Sequence, residues 1–77
     1  MRVLIGDIIY NVNRIIRPDD KGSSLLVYVV GLDSLITCYF VECWSEYYAE
    51  TIFHEILTNG YSNLNTTYKV KKITYKG

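Results

Sequence analysis

The apolar positions of the chain alternate, run continuously or recur at helical spacing in turn, and these changes of period mark its elements. Arg2-Val3-Leu4-Ile5 and Ile8-Ile9-Tyr10-Asn11-Val12 flank Gly6-Asp7. A two-residue connection with Gly first, between β-branched runs, predicts a tight hairpin of the primed-turn type. On the second arm Ile8, Tyr10 and Val12 share a face and Asn11 and Asn13 take the other. That strand is expected to run on to Ile15 or Ile16, with its alternation broken near Asn13-Arg14 by a bulge. Pro18 to Ser24 is polar and turn-rich, and it reads as an exposed loop, the most mobile stretch expected.

Leu25 to Val30 is apolar at every position, and Leu35 to Cys43 nearly so, which predicts two central strands joined by Gly31-Leu32-Asp33-Ser34. Both faces of such strands want cover. Ser45 then suits a helix N-cap, and Tyr48, Ala49, Ile52, Phe53, Ile56 and Leu57 form one apolar stripe over Glu46 to Thr58. Asn59-Gly60 supplies the stop. Tyr61 to Thr67 reads as a polar turn and Tyr68 to Tyr75 as the last strand. A bulge at Lys71-Lys72 would gather Tyr68, Val70, Ile73 and Tyr75 on one face. The expected order is β-β-β-β-α-β: an α+β fold with a small, mostly antiparallel, curved or partly closed sheet and one amphipathic helix packed on it.

Length adds a bound: 77 residues make a single compact domain over 1–77. A chain of this size buries only about 63% of its unfolded surface. Eight basic residues balance eight acidic ones, which argues against a phosphate-driven nucleic-acid binder. The signs are segregated, however. Residues 31–60 carry Asp33, Glu42, Glu46, Glu50 and Glu55 with no Lys or Arg, and residues 61–77 carry Lys69, Lys71, Lys72 and Lys76 with no acid. Either the two segments cancel within the fold or they leave a two-signed surface that steers partners. Asp7 interrupts the first apolar run too early for a signal peptide, and no run reaches membrane length.

Candidate chemistry is sparse. Cys38 and Cys43 are five apart in one strand, roughly 16 Å when extended and on opposite faces, so they are not expected to form a disulfide. Unpaired thiols suit a cytoplasmic location. The single histidine, His54, lies on the helix with no third group to orient a Cys–His pair. No metal-ligand spacing, phosphate loop or dinucleotide turn is present, so no catalytic residue, metal or cofactor is assigned. The sequon Asn65-Thr66-Thr67 has no use in a cytoplasmic chain.

Tyrosine is the unusual feature, with eight residues spread over strands and helix. A phenol has an apolar body and a polar tip, which suits interface rims and small-molecule pockets. The expected function is therefore a small non-enzymatic protein–protein interaction module that inhibits or regulates a larger partner. Its abundance of residues with AT-rich codons fits a phage or mobile-element accessory protein. The partner surface expected is the acidic helix with Glu42, Glu46, Tyr47, Glu50 and His54. A second reading is an oligomer that sequesters a nucleotide-like ligand with Tyr10, Tyr28, Tyr39 and Arg14. Single-stranded nucleic-acid binding through tyrosines and the last strand is a third. A homodimer or higher homo-oligomer is also expected, because one helix can cover only one of the two alternating sets, Leu25, Val27 and Val29 or Leu26, Tyr28 and Val30.

Overall fold

A computed structural model describes residues 1–19 and 22–73. Its elements are β1 (Arg2–Ile5), β2 (Ile8–Ile16), β3 (Ser24–Val30), β4 (Ile36–Glu42), α1 (Glu46–Asn59), β5 (Tyr61–Asn63), a 3-10 turn (Leu64–Thr66) and β6 (Lys69–Ile73). The strands form one six-stranded sheet in the order β5-β1-β2-β3-β4-β6. Consecutive strands β1 to β4 pair antiparallel, as does β6 with β4, whereas β5 runs parallel to β1. The fold is α+β with a mixed sheet.

Local chemistry accounts for the element ends. Gly6 has φ +62°, the left-handed region that a Gly-first hairpin turn requires, and Ile5 pairs with Ile8 across it. The Ser45 hydroxyl accepts from the Tyr48 N–H at 3.0 Å and caps α1. At the other end Gly60 has φ +74° and donates its N–H to Ile56 O at 3.1 Å. Gly60 O accepts from the Arg2 N–H at 2.8 Å, so the end of the helix is tied to β1 and the chain leaves it already in register for β5.

The bulge near Asn13 is present: Val12 pairs with Val29 and Ile15 with Val27, one residue more on β2 than on β3. It keeps both Val12 and Ile15 on the face that packs against the core. Three expectations need correction. Tyr61 to Thr67 is not simply a turn, because Tyr61–Asn63 forms β5. Three residues with one partner strand give no periodic signal of their own. The last strand has no bulge at Lys71-Lys72, since its register with β4 runs unbroken from Cys38↔Ile73 to Glu42↔Lys69. Val70 and Ile73 therefore point to opposite faces, and an unbroken set of ladder bonds prevails over collecting apolar side chains on a lightly buried edge strand. Leu57, placed in the helix stripe, is 49% exposed. Tyr75 and Lys76, with Asp20 and Lys21 of the expected loop, lie outside the described residues.

The core lies between one face of the sheet and α1. Val3, Leu25, Val27, Val29, Val41, Ala49, Ile56 and Leu64 are fully buried there, with Ile52 and Cys43 nearly so. Each large aliphatic side chain in this set contributes about 1.5–3 kcal/mol relative to exposure.

Candidate functional site

Strand parity divides the side chains between a face covered by the helix and a face that no described element covers. On β3, Leu25, Val27 and Val29 turn inward at 0% exposure, while Leu26, Tyr28 and Val30 turn outward and stay partly exposed. Their neighbours on this open face follow from the register. Leu26 pairs with Phe40 and Ile16, Tyr28 with Cys38 and Arg14, and Val30 with Ile36 and Asn11. Ile9 and Ile36 are each 56% exposed. Cys38, hemmed in by this packing, is buried, and desolvation pushes its thiol pKa up although a hydrogen bond with Tyr28 pulls the other way.

Charge on the open face is one-sided. Among the described residues, Arg2 and Arg14 lie there on β1 and β2, and Lys69 and Lys71 on β6, against the single acid Glu42, whose register neighbour is Lys69. An apolar centre that includes the Tyr28 and Phe40 rings is thus bordered by cations.

The acids lie elsewhere. Glu46 and Glu50 are exposed on α1 beside Tyr47, which is 80% exposed, and Glu50 Oε1 is 3.7 Å from His54 Nε2. No ion pair joins the helix acids to the β6 lysines among the described residues, and Lys69 and Lys71 lie across the sheet from the helix while Lys72 is on its side. Of the expected partner surface, Glu46, Tyr47, Glu50 and His54 are together on the helix, while Glu42 is on the open sheet face. Next to the start of the helix the structure adds an aromatic pair that the sequence does not mark. Trp44 and Tyr68 stack edge to face at 4.8 Å, and the Trp44 indole donates to Thr66 O at 3.1 Å.

Tyr10, Tyr28, Tyr39 and Arg14, the expected ligand set, are split. Tyr10 and Tyr39 lie on the helix side with ring centroids 5.9 Å apart. Arg14 and Tyr28 pair on the open face. The extra residue at Asn13 is the cause: in a regular strand Tyr10 and Arg14, four apart, would share a face. The helix does not reach Tyr10 and Tyr39 fully. Beyond it, at the β3–β4 hairpin, Ile8, Tyr10, Thr37, Tyr39 and Lys72 line a cavity of about 340 Å³ together with Gly31, Leu32 and Asp33 of the connecting loop. Desolvation, and then a hydrogen bond from its hydroxyl to Tyr10, push the Tyr39 pKa up to about 12, so it stays a neutral phenol.

Neither cysteine is disposed for nucleophilic chemistry. Burial pushes the Cys43 thiol up, only partly offset by the Arg17 charge, and both thiols are free. His54 is exposed and engaged with Glu50. Among the described residues no three His, Cys, Asp or Glu side chains gather as metal ligands, and no helix is long and apolar enough to cross a membrane. Compared with family models, curated proteins and solved structures, the chain matches none.

Proposed function

We propose that the chain is a non-enzymatic interaction module whose working surface is the open sheet face, and that it regulates a larger cytoplasmic protein by occluding an apolar, acid-bordered patch on it. The observation that carries this reading is the outward set Leu26, Tyr28, Val30, Ile36 and Phe40 on the two central strands, bordered by Arg2, Arg14, Lys69 and Lys71. Contiguous apolar surface of this kind on a small domain marks a site of association. Leu26, Val30 and Ile36 flank the Tyr28 and Phe40 rings with aliphatic surface that buries well against protein and offers bases nothing to stack on, which is why the face is read as protein-binding first. The partner's complementary charge is negative, which sets both specificity and encounter rate. Small size and an abundance of residue types that AT-rich codons encode suit a phage or mobile-element accessory protein.

Without its partner, the chain is expected to pair these faces in a homodimer. Four cations against one acid make that pairing self-repulsive, so the dimer is weak and gives way to an acidic partner.

A photo-crosslinking residue at position 40, compared with one at position 47 on the helix, tests the assignment in the native host. The crosslinked protein is then purified and rebound. Arg14→Glu with Lys71→Glu should weaken rebinding by ~100-fold, two charge-assisted contacts of about 1.4 kcal/mol each. Crosslinks from position 47 alone, or from position 40 only to a second copy, would overturn the reading.

A further inference from the structure

The cavity beside the β3–β4 hairpin lies on the other side of the sheet from the proposed docking face, and its chemistry is different. Its wall is the tilted Tyr10–Tyr39 pair, two rings that the helix leaves partly exposed. Thr37, on the same face of β4 as Tyr39, adds a hydroxyl. Two charges line the cavity from different elements. Lys72 pairs in register with Tyr39 from the edge strand and forms no ion pair among the described residues. Asp33 stands on the hairpin loop, where its Oδ1 accepts the Leu35 N–H at 3.0 Å, leaving Oδ2 to accept from a ligand. The loop is held in place rather than free: Gly31 N–H donates to Leu35 O at 2.9 Å, and Ser34 N–H donates to Gly31 O at 3.0 Å.

Each feature restricts what fits. Paired phenol rings favour a flat, conjugated body. A lysine without an ion partner favours an anionic group at one end. A carboxylate oxygen on the hairpin loop favours a donor, such as an exocyclic amine, at another point of the ligand, and rejects a second anion. From this arrangement we infer that the cavity is a binding site for an amine-bearing aromatic anion of the size of a nucleoside monophosphate, with its anionic group on Lys72, its ring against Tyr10 and Tyr39, and its amine toward Asp33. This single-chain site uses neither Arg14 nor Tyr28 and needs no second copy.

Amide chemical shifts of the full chain, titrated separately with AMP, adenosine and inorganic phosphate, test it. AMP should bind at least ~10-fold more tightly than either fragment, because only AMP presents both ends. Its shifts should centre on Tyr10, Asp33, Thr37, Tyr39 and Lys72. Lys72→Gln should weaken AMP by ~10-fold and leave adenosine unchanged, with an unaltered thermal transition showing that the variant is folded. UMP, which lacks the amine, should bind more weakly than AMP. No AMP binding at millimolar concentration would overturn the inference. So would phosphate or adenosine binding as well as AMP, UMP binding as well as AMP, or shifts confined to the open face.

Discussion

Asn65 holds both sides of the first hairpin's turn from 59 residues away in the sequence: its Nδ2 donates to Gly6 O and its Oδ1 accepts the Gly6 N–H, each at 2.8 Å. The Asn65 N–H in turn donates to Asn63 Oδ1 at 2.9 Å, which fixes the 3-10 turn that presents it. The stretch after the helix is thus latched to the start of the chain.

Asn65→Ala should destabilise the fold by about 1–2 kcal/mol, since two bonds of about 0.5–1.5 kcal/mol net are lost. Asn65→Asp keeps the acceptor and loses the donor, so its effect should be intermediate. Urea unfolding of the three proteins checks this; an alanine variant as stable as the parent would show that the latch contributes nothing.

Ser62 is fully buried on β5 and its Oγ has no hydrogen-bond partner among the described residues. Leaving such a hydroxyl unpaired costs about 1–3 kcal/mol. Ser62→Ala, which removes the oxygen and little volume, should therefore raise stability by about 1 kcal/mol in the same measurement. A loss of stability would mean that the hydroxyl is satisfied in solution.

Tyr39 gives stability a pH dependence at the alkaline end. Its pKa rises from the ordinary 10.0 to about 12 on folding, so between these values the unfolded chain releases the proton first. Stability is then unaffected by this group below pH 10 and declines as pH rises toward 12. Tyr39→Phe should flatten that part of the profile relative to the parent. Parallel profiles of the two proteins over this range would contradict the assignment.

Salt separates the two occupants proposed for the open face. Screening relieves repulsion between its cations, so self-association should strengthen from about 0.05 to 0.5 M salt, over which the Debye length falls roughly threefold. Binding of the acidic partner should weaken over the same range. Sedimentation of the free chain and of the reconstituted complex reads both; trends of the same sign would refute the charge argument.

Elements with a local cause were legible in the sequence. Ser45 and Gly60 set the helix ends, Gly6 sets the hairpin, and the need to re-phase Val12 and Ile15 announces the bulge. What lay beyond reading depends on tertiary pairing. Tyr61-Ser62-Asn63 becomes a strand only because Gly60 is tied to Arg2 and β1 offers a parallel edge. The division of the tyrosines follows the same logic. Tyr28 pairs with Cys38 across the central hairpin, so Tyr39, one residue on, must face the helix, and the bulge carries Arg14 away from Tyr10. Thr37 and Lys72 join the cavity through register alone, with nothing in their local sequence to mark them. That one set of β3 side chains stays uncovered was legible, because alternation on a wholly apolar strand with a single helix available leaves one side open; that it is Leu26, Tyr28 and Val30 follows only from the packing.

Whether that open side is an adhesive surface is most directly tested by light scattering of the parent and of Phe40→Lys from micromolar to submillimolar concentration in about 0.5 M salt, roughly three times physiological ionic strength. The parent should show a mass above the 8.9 kDa of one chain, rising with concentration toward a dimer. Phe40→Lys should stay at 8.9 kDa with an unchanged far-ultraviolet circular dichroism spectrum. A parent that remains at 8.9 kDa throughout, or a Phe40→Lys variant that assembles as the parent does, would contradict the account.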